Sequence, residues 1–204
     1  PFGLLVWRGI LQVAGILAIL ALLHRGRLVE PFRAVGRAGL LLAMVFSGCT
    51  LFFIIALSLT AVADVLVIVA AAPLAAAVLG LVFLGVAVAR RTWAAISLAL
   101  VGIAVLVSED LGSGSLLGDL AAGVCALCIG ASFVITRHAR AVSMVPAMAL
   151  AGLVTATVAL PLALLLETGP LLYEGARLGY TLTLGLVVVP VSFALITLGP
   201  RYLP

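Results

Sequence analysis

The sequence predicts an all-α, polytopic membrane protein, a helical bundle of two inverted five-helix repeats with seven spans visible. Three observations carry that prediction. Of 204 residues, 66% are apolar and 9% charged, with a mean hydropathy of +1.44. Soluble domains run nearer about 45–50% apolar and about 25% charged, so these few charges could not cover a water-soluble domain. The apolar residues fall in continuous runs near the roughly 20 residues that a bilayer core of about 30 Å requires. The basic residues sit in alternate connections between those runs.

Seven runs are read in order. The first, Phe2–Leu23, is closed by a turn carrying Arg25, Arg27, Arg33 and Arg37, after which Gly39–Leu57 forms the second. A short polar turn leads into the third, Ala61–Gly85, and Arg90 and Arg91 separate it from the fourth, Thr92–Val107. Glu109 and Asp110 precede the fifth, Leu116–Ile135, which ends before Arg137 and Arg140. The sixth is Val145–Leu166, and Glu167, Glu174 and Arg177 lead to the seventh, Tyr180–Leu198, with Arg201 beyond it. No run alternates with period two, which argues for helices over barrel strands. Short connections predict that neighbours in sequence run antiparallel.

Charge sets the expected orientation. The net charge of +4 comes entirely from arginine, for the sequence has no lysine. Nine of the eleven arginines lie in the connections after runs one, three, five and seven, which the positive-inside tendency places in the cytoplasm. Arginines distributed in this way read as membrane topology and exclude a nucleic-acid face. The chain starts at Pro1 without an initiator Met or a charged leader, and it reads as a piece of a longer protein.

Pro1 before the first run corresponds to Pro146 at the start of the sixth, and Leu59-Thr60 after the second to Leu203-Pro204 after the seventh. The offset of 144–145 residues is close to five spans with their connections. Five is odd, so the halves would face opposite ways, with residues 1–112 in one repeat and 113–204 in the other. A complete pair would need roughly 290 residues, which places one span before Pro1 and two after Pro204.

The stretch from Phe53 through Asp64, Pro73, Gly80, Phe83-Leu84-Gly85 and Trp93 to Gly102 resembles the EamA-type drug/metabolite transporter family. Gly118-Asp119-Leu120 with Thr136-Arg137 resembles the start of that family's second repeat, and Leu198 to Pro204 the approach to its ninth helix. The resemblance implies ten helices in two inverted repeats that carry small metabolites across the bacterial inner membrane, with export the expected direction. One position departs from the family: a Glu often follows the Leu-Gly of its fourth helix, and here Val86 stands there.

Seven residues are candidates for lining a substrate path: Arg8, Ser47, Thr50, Phe53, Asp64, Pro73 and Pro190. Arg8 lies about 9 Å into the first run at 1.5 Å per residue, facing either a water-filled cavity or, by snorkelling, the headgroups. An Arg at midplane costs about 2.5–3.5 kcal/mol on insertion scales; the family resemblance favours the cavity. Asp64, three residues into the third run, reads either as a first-turn acid at a helix N-terminus or as an ion-pair partner of Arg8. Pro73 removes a helix hydrogen bond in mid-run and frees a carbonyl, the kind of break at which transporters build sites. Ala72, Ala76 and Gly80 form a small-residue ladder beside it, and Pro190 is its nearest counterpart in the second half. Ser47, Thr50, Ser58 and Thr60 cluster near the end of the second run, where each hydroxyl could equally bond its own helix. Phe52 and Phe53 could stack on a substrate or simply pack.

Other chemistries find little support. Cys125-x-x-Cys128 lies in an apolar helix without the further ligands that zinc needs, so no metal or other cofactor is expected. His24 and His138 fall in arginine-rich turns. Without lysine there is no P-loop or Schiff-base residue, and Gly130-Ala131-Ser132-Phe133 lacks the second glycine and the base of a serine hydrolase. No enzymatic activity is expected. The reading is therefore a carrier of small organic solutes embedded in the lipid bilayer. The competing readings are a seven-helix receptor and a non-transporting structural subunit. The residues leave substrate identity, coupling and oligomeric state open.

Overall fold

The computed structural model describes residues 2–23, 29–85, 89–107, 115–139, 142–166, 176–192 and 195. They form α1 (Phe2–Leu23), α2 (Val29–Leu59), α3 (Val62–Val69), α4 (Ala72–Leu84), α5 (Arg90–Val107), α6 (Leu116–His138), α7 (Val145–Leu166) and α8 (Ala176–Thr183). A π-helical segment, Leu184–Val188, continues α8. No strand occurs among the described residues. Five stretches are long and apolar enough to cross a membrane: Phe2–Leu22, Glu30–Leu59, Val62–Leu84, Leu116–His138 and Val145–Leu165. They correspond to runs one, two, three, five and six. The fourth run is the 18-residue α5, and of the seventh a shorter apolar helix, Gly179–Ser192, is described.

Apart from shifts of a few residues at helix ends (α5 begins at Arg90, α6 runs on to His138 and α8 begins at Ala176), the helices depart from the predicted runs in three places, each for a local reason. The second run begins earlier, because helix extends back to Val29 across a break at Gly36. Gly36 has φ 55°, which a residue without Cβ adopts cheaply, so the arginine-bearing turn of Arg33 and Arg37 is itself largely helical. The third run is two helices, α3 and α4, divided at Ala70–Ala71. Pro73 stands in the first turn of α4, where a missing N–H costs least, and α4 ends on Gly85 in the left-handed conformation at φ 63°. In the seventh run the π segment precedes Pro190, which cannot donate to the Leu186 carbonyl four residues back.

The chain folds as two units, residues 1–47 with 139–204, and residues 48–138. In the first, α1 lies against α7 and the α8–π segment. Gly9 and Gly152 bring the backbones of α1 and α7 together, and a β carbon on Gly9 would stand 2.5 Å from the Gly152 carbonyl. Gln12, 5% exposed, donates its amide to the Met148 carbonyl at 2.7 Å. The α7 partner falls from Ala156 and Gly152 at Gly9 to Met148 at Gln12, so the two helices are antiparallel. Leu11 meets Gly185 and Gly15 meets Pro190, so α1 and the last segment are parallel. Gly39 faces Ala147 and Ser47 donates to the Ala151 carbonyl at 2.8 Å, which makes α2 and α7 parallel.

In the second unit Thr60 abuts Gly118 and Ala75–Ala76 abut Gly130, so the third and fifth runs are parallel. The Cys49 and Cys125 sulfurs lie 3.6 Å apart, and Ala56 packs with Ala121 and Ala122, so α2 and α6 are antiparallel. Among the runs compared, one, two, six and seven in the first unit and two, three and five in the second, two odd or two even runs are parallel and an odd and an even run are antiparallel. This arrangement suits a helical membrane protein. The outward surface agrees: Leu22, Phe83, Leu98 and Leu165 are 83%, 73%, 74% and 82% exposed, apolar side chains that suit a hydrocarbon surrounding.

Candidate functional site

The second unit holds the chemistry-bearing groups, and the broken third run positions them. The short turn before α3 holds Thr60 and Ala61, the latter the N-cap of α3 without a side-chain cap. That places Asp64 in the first turn of α3. Gly118 allows α6 to approach Thr60 so closely that a β carbon there would stand 2.7 Å from the Thr60 β carbon. The approach brings Asp119, in the first turn of α6, to the same point. Thr60 donates its hydroxyl to Asp119 Oδ1 at 2.9 Å and lies 3.5 Å from Asp64 Oδ2. Asp64 is 2% exposed, and its Oδ1 is buried with no hydrogen-bond partner among the described residues.

Two grooves flank the contact of α4 with α6. One, of about 530 Å3, is lined by Pro73, Ala76, Gly80, Thr92, Phe133 and Arg137 among others. The small-residue ladder expected beside Pro73 contributes two of these residues, while Gly130 of α6 meets Ala75 and Ala76 directly. The second groove, of about 550 Å3, is almost wholly apolar, with Asp119 its charged residue. Asp119 and Arg137 stand near opposite ends of α6, about 27 Å apart at 1.5 Å per residue. Acid at the N-terminus and base at the C-terminus also complement the helix dipole.

The remaining candidates divide between the units. Arg8 is half-buried on α1, in the first unit, whereas Asp64 belongs to the second. Ser47 is 1% exposed and donates to the carbonyls of Ala43 and Ala151, so it fastens α2 to α7. Thr50 is buried on α2. Phe53 is half-buried and packs against the cluster of Ala56, Val65, Ala121 and Ala122, whereas Phe52 is exposed. Ser58 is exposed and bonds the Ile54 carbonyl of its own helix. Pro190 is buried against Gly15. His138 ends α6, exposed beside Arg137. Of the orientation residues, Arg25, Arg27, Glu109, Asp110, Arg140, Glu167, Glu174 and Arg201 lie outside the described residues, as do His24, Val86 and the stretch from Leu198 to Pro204.

Sequence reasoning weighed Thr60 only as one of a cluster of hydroxyls and Asp119 only within the family resemblance, and it did not single out Gln12. Asp119 could have been found as a second carboxylate within an apolar run, and Gln12 as an amide deep in another. Their partners could not, because Thr60 lies 59 positions from Asp119 and Gln12 lies 136 from Met148. Among the described residues no group of three or more His, Cys, Asp or Glu could hold a metal ion.

No family model matches the chain, and no curated protein matches it. Among solved structures, a protein solved by crystallography superposes with a TM-score of 0.80 at 22% identity. The match covers 98% of this chain and 70% of that one. The likeness is one of fold.

Proposed function

We propose that the protein is a multi-pass carrier of small organic solutes, such as amino acids or drug-like metabolites, related to the EamA-type transporters. One observation carries the reading. The helices α1 and α7 have 22 residues each, and Gly9 and Gly152 are the eighth residue of their respective helices. Gly9 lies against Ala156 and Gly152 against Val13, which are again equivalent positions, the twelfth of each helix. Two antiparallel helices that touch through equivalent residues in both directions are what a two-fold axis between inverted repeats would produce. The offset is 143 residues, close to the spacing read from the prolines, and it supports repeats of 1–112 and 113–204. The π segment before Pro190 and the divided third run support the same reading, since carriers of this architecture bind solutes where helices are broken.

In this reading the seven runs all cross the bilayer, the arginine-rich connections are cytoplasmic and the membrane is the bacterial inner membrane. Solute moves by alternating access as one repeat rocks against the other, with export the favoured direction. The path residues are Arg8, Ser47, Thr50, Phe53, Asp64, Pro73 and Pro190. Cysteine scanning along Ala61–Gly85 tests it: a carrier gives one labelled face, reached from both sides of the membrane. Labelling confined to the two ends of that stretch would refute the carrier and favour a structural subunit.

A further inference from the structure

Asp64 and Asp119 come to one point from different helices, and the hydrogen inventory between them does not balance. An ionised carboxylate only accepts hydrogen bonds, and a threonine hydroxyl has one proton to give. Thr60 directs that proton to Asp119 at 2.9 Å, and its 3.5 Å separation from Asp64 leaves the second carboxylate weakly served. Asp64 Oδ1 is buried and has no hydrogen-bond partner among the described residues. The residue is 2% exposed, within a stretch long and apolar enough to cross a membrane. An uncompensated buried charge there is strongly unfavourable.

A first-turn acid gains from the helix dipole. That gain is smaller than the cost and leaves Oδ1 without a donor. It also explains neither why a second carboxylate is drawn to the same hydroxyl nor why Gly118 admits the close approach that brings it there. What the site lacks is one small positive charge. The surrounding donors are all oxygen, the ligand set that hard cations take and softer metals do not.

We propose that Asp64, Thr60 and Asp119 form a binding site for a sodium ion, with Asp64 Oδ1 as its first ligand. Asp119 also borders the apolar groove beside α4 and α6. The inference does not depend on the carrier reading, because occupancy is measured without transport. If the carrier reading also holds, the site is where an ion gradient would be coupled to solute movement.

The test uses the full chain purified in detergent. Thermal unfolding is compared in sodium chloride and in choline chloride at equal ionic strength. Sodium occupancy raises the unfolding temperature of the wild type and leaves Asp64→Asn unmoved. Thr60→Val keeps both carboxylates and weakens the sodium response about tenfold, the loss expected for one hydrogen bond to a charged group. A wild type that unfolds at the same temperature in the two salts overturns the site.

Discussion

Gly9 and Gly152 face each other across α1 and α7 so closely that neither position can accept a side chain. A β carbon on Gly9 would stand 2.5 Å from the Gly152 carbonyl, and one on Gly152 would stand 2.9 Å from the Gly9 carbonyl. Without a hydrophobic driving force between helices in lipid, association depends on such close backbone approach. Gly9→Val and Gly152→Val must push the helices apart, and each should destabilise the protein by about 1–3 kcal/mol. Gly48 has open space where its β carbon would be, so Gly48→Ala serves as the control. Unfolding in mixed micelles measures all three; a valine variant as stable as the wild type would contradict the contact.

Ser47 offers a second check on the first unit. Its hydroxyl bonds the Ala151 carbonyl on another helix, whereas Ser58 bonds only its own helix and is exposed. Ser47→Ala should cost about 1 kcal/mol, and Ser58→Ala should change stability much less. Equal effects in the two variants would count against an interhelical role for Ser47.

The cysteine sulfurs of α2 and α6 make a covalent probe. Cys49 and Cys125 are 3.6 Å apart in the second unit and unoxidised. A membrane-permeant oxidant should join them, because a disulfide needs about 2.05 Å and small side-chain rotations can supply the difference. Peptide mass spectrometry should find Cys49 linked to Cys125 and Cys128 still available to a maleimide. Linkage through Cys128 instead would show that the facing registers of α2 and α6 differ from those described.

Pro73 determines where the third run is divided. Pro73→Ala supplies the N–H that the Val69 carbonyl would accept in a continuous helix. The expected outcome is a protein that folds with unchanged or higher stability while a thiol at Ala71→Cys becomes less reactive. If that thiol reacts equally with and without the proline, the turn at Ala70–Ala71 has another origin.

Much of this fold is readable residue by residue. Apolar runs of bilayer length mark the helices because hydrocarbon leaves backbone groups no partner but the chain itself. The boundaries of α1 and α7 coincide with the predicted apolar runs, whereas α6 continues through Arg137 to His138. The interruptions are less legible. Gly36 and Gly85 break or end helices by their left-handed conformations, yet glycines elsewhere in the chain sit inside continuous helix. A glycine states only what backbone conformations are allowed, and its surroundings select one.

The sequence by itself determined that the chain is helical, that its runs suit a membrane, and which few polar residues are held inside them. Only the tertiary structure decided which of those residues meet. Asp64 finds Thr60 and Asp119, Gln12 finds Met148, and Ser47 finds Ala151. The reason is physical: hydrophobicity acts along the chain as a local average, whereas a hydrogen bond between helices depends on register and on the small residues that let two backbones approach.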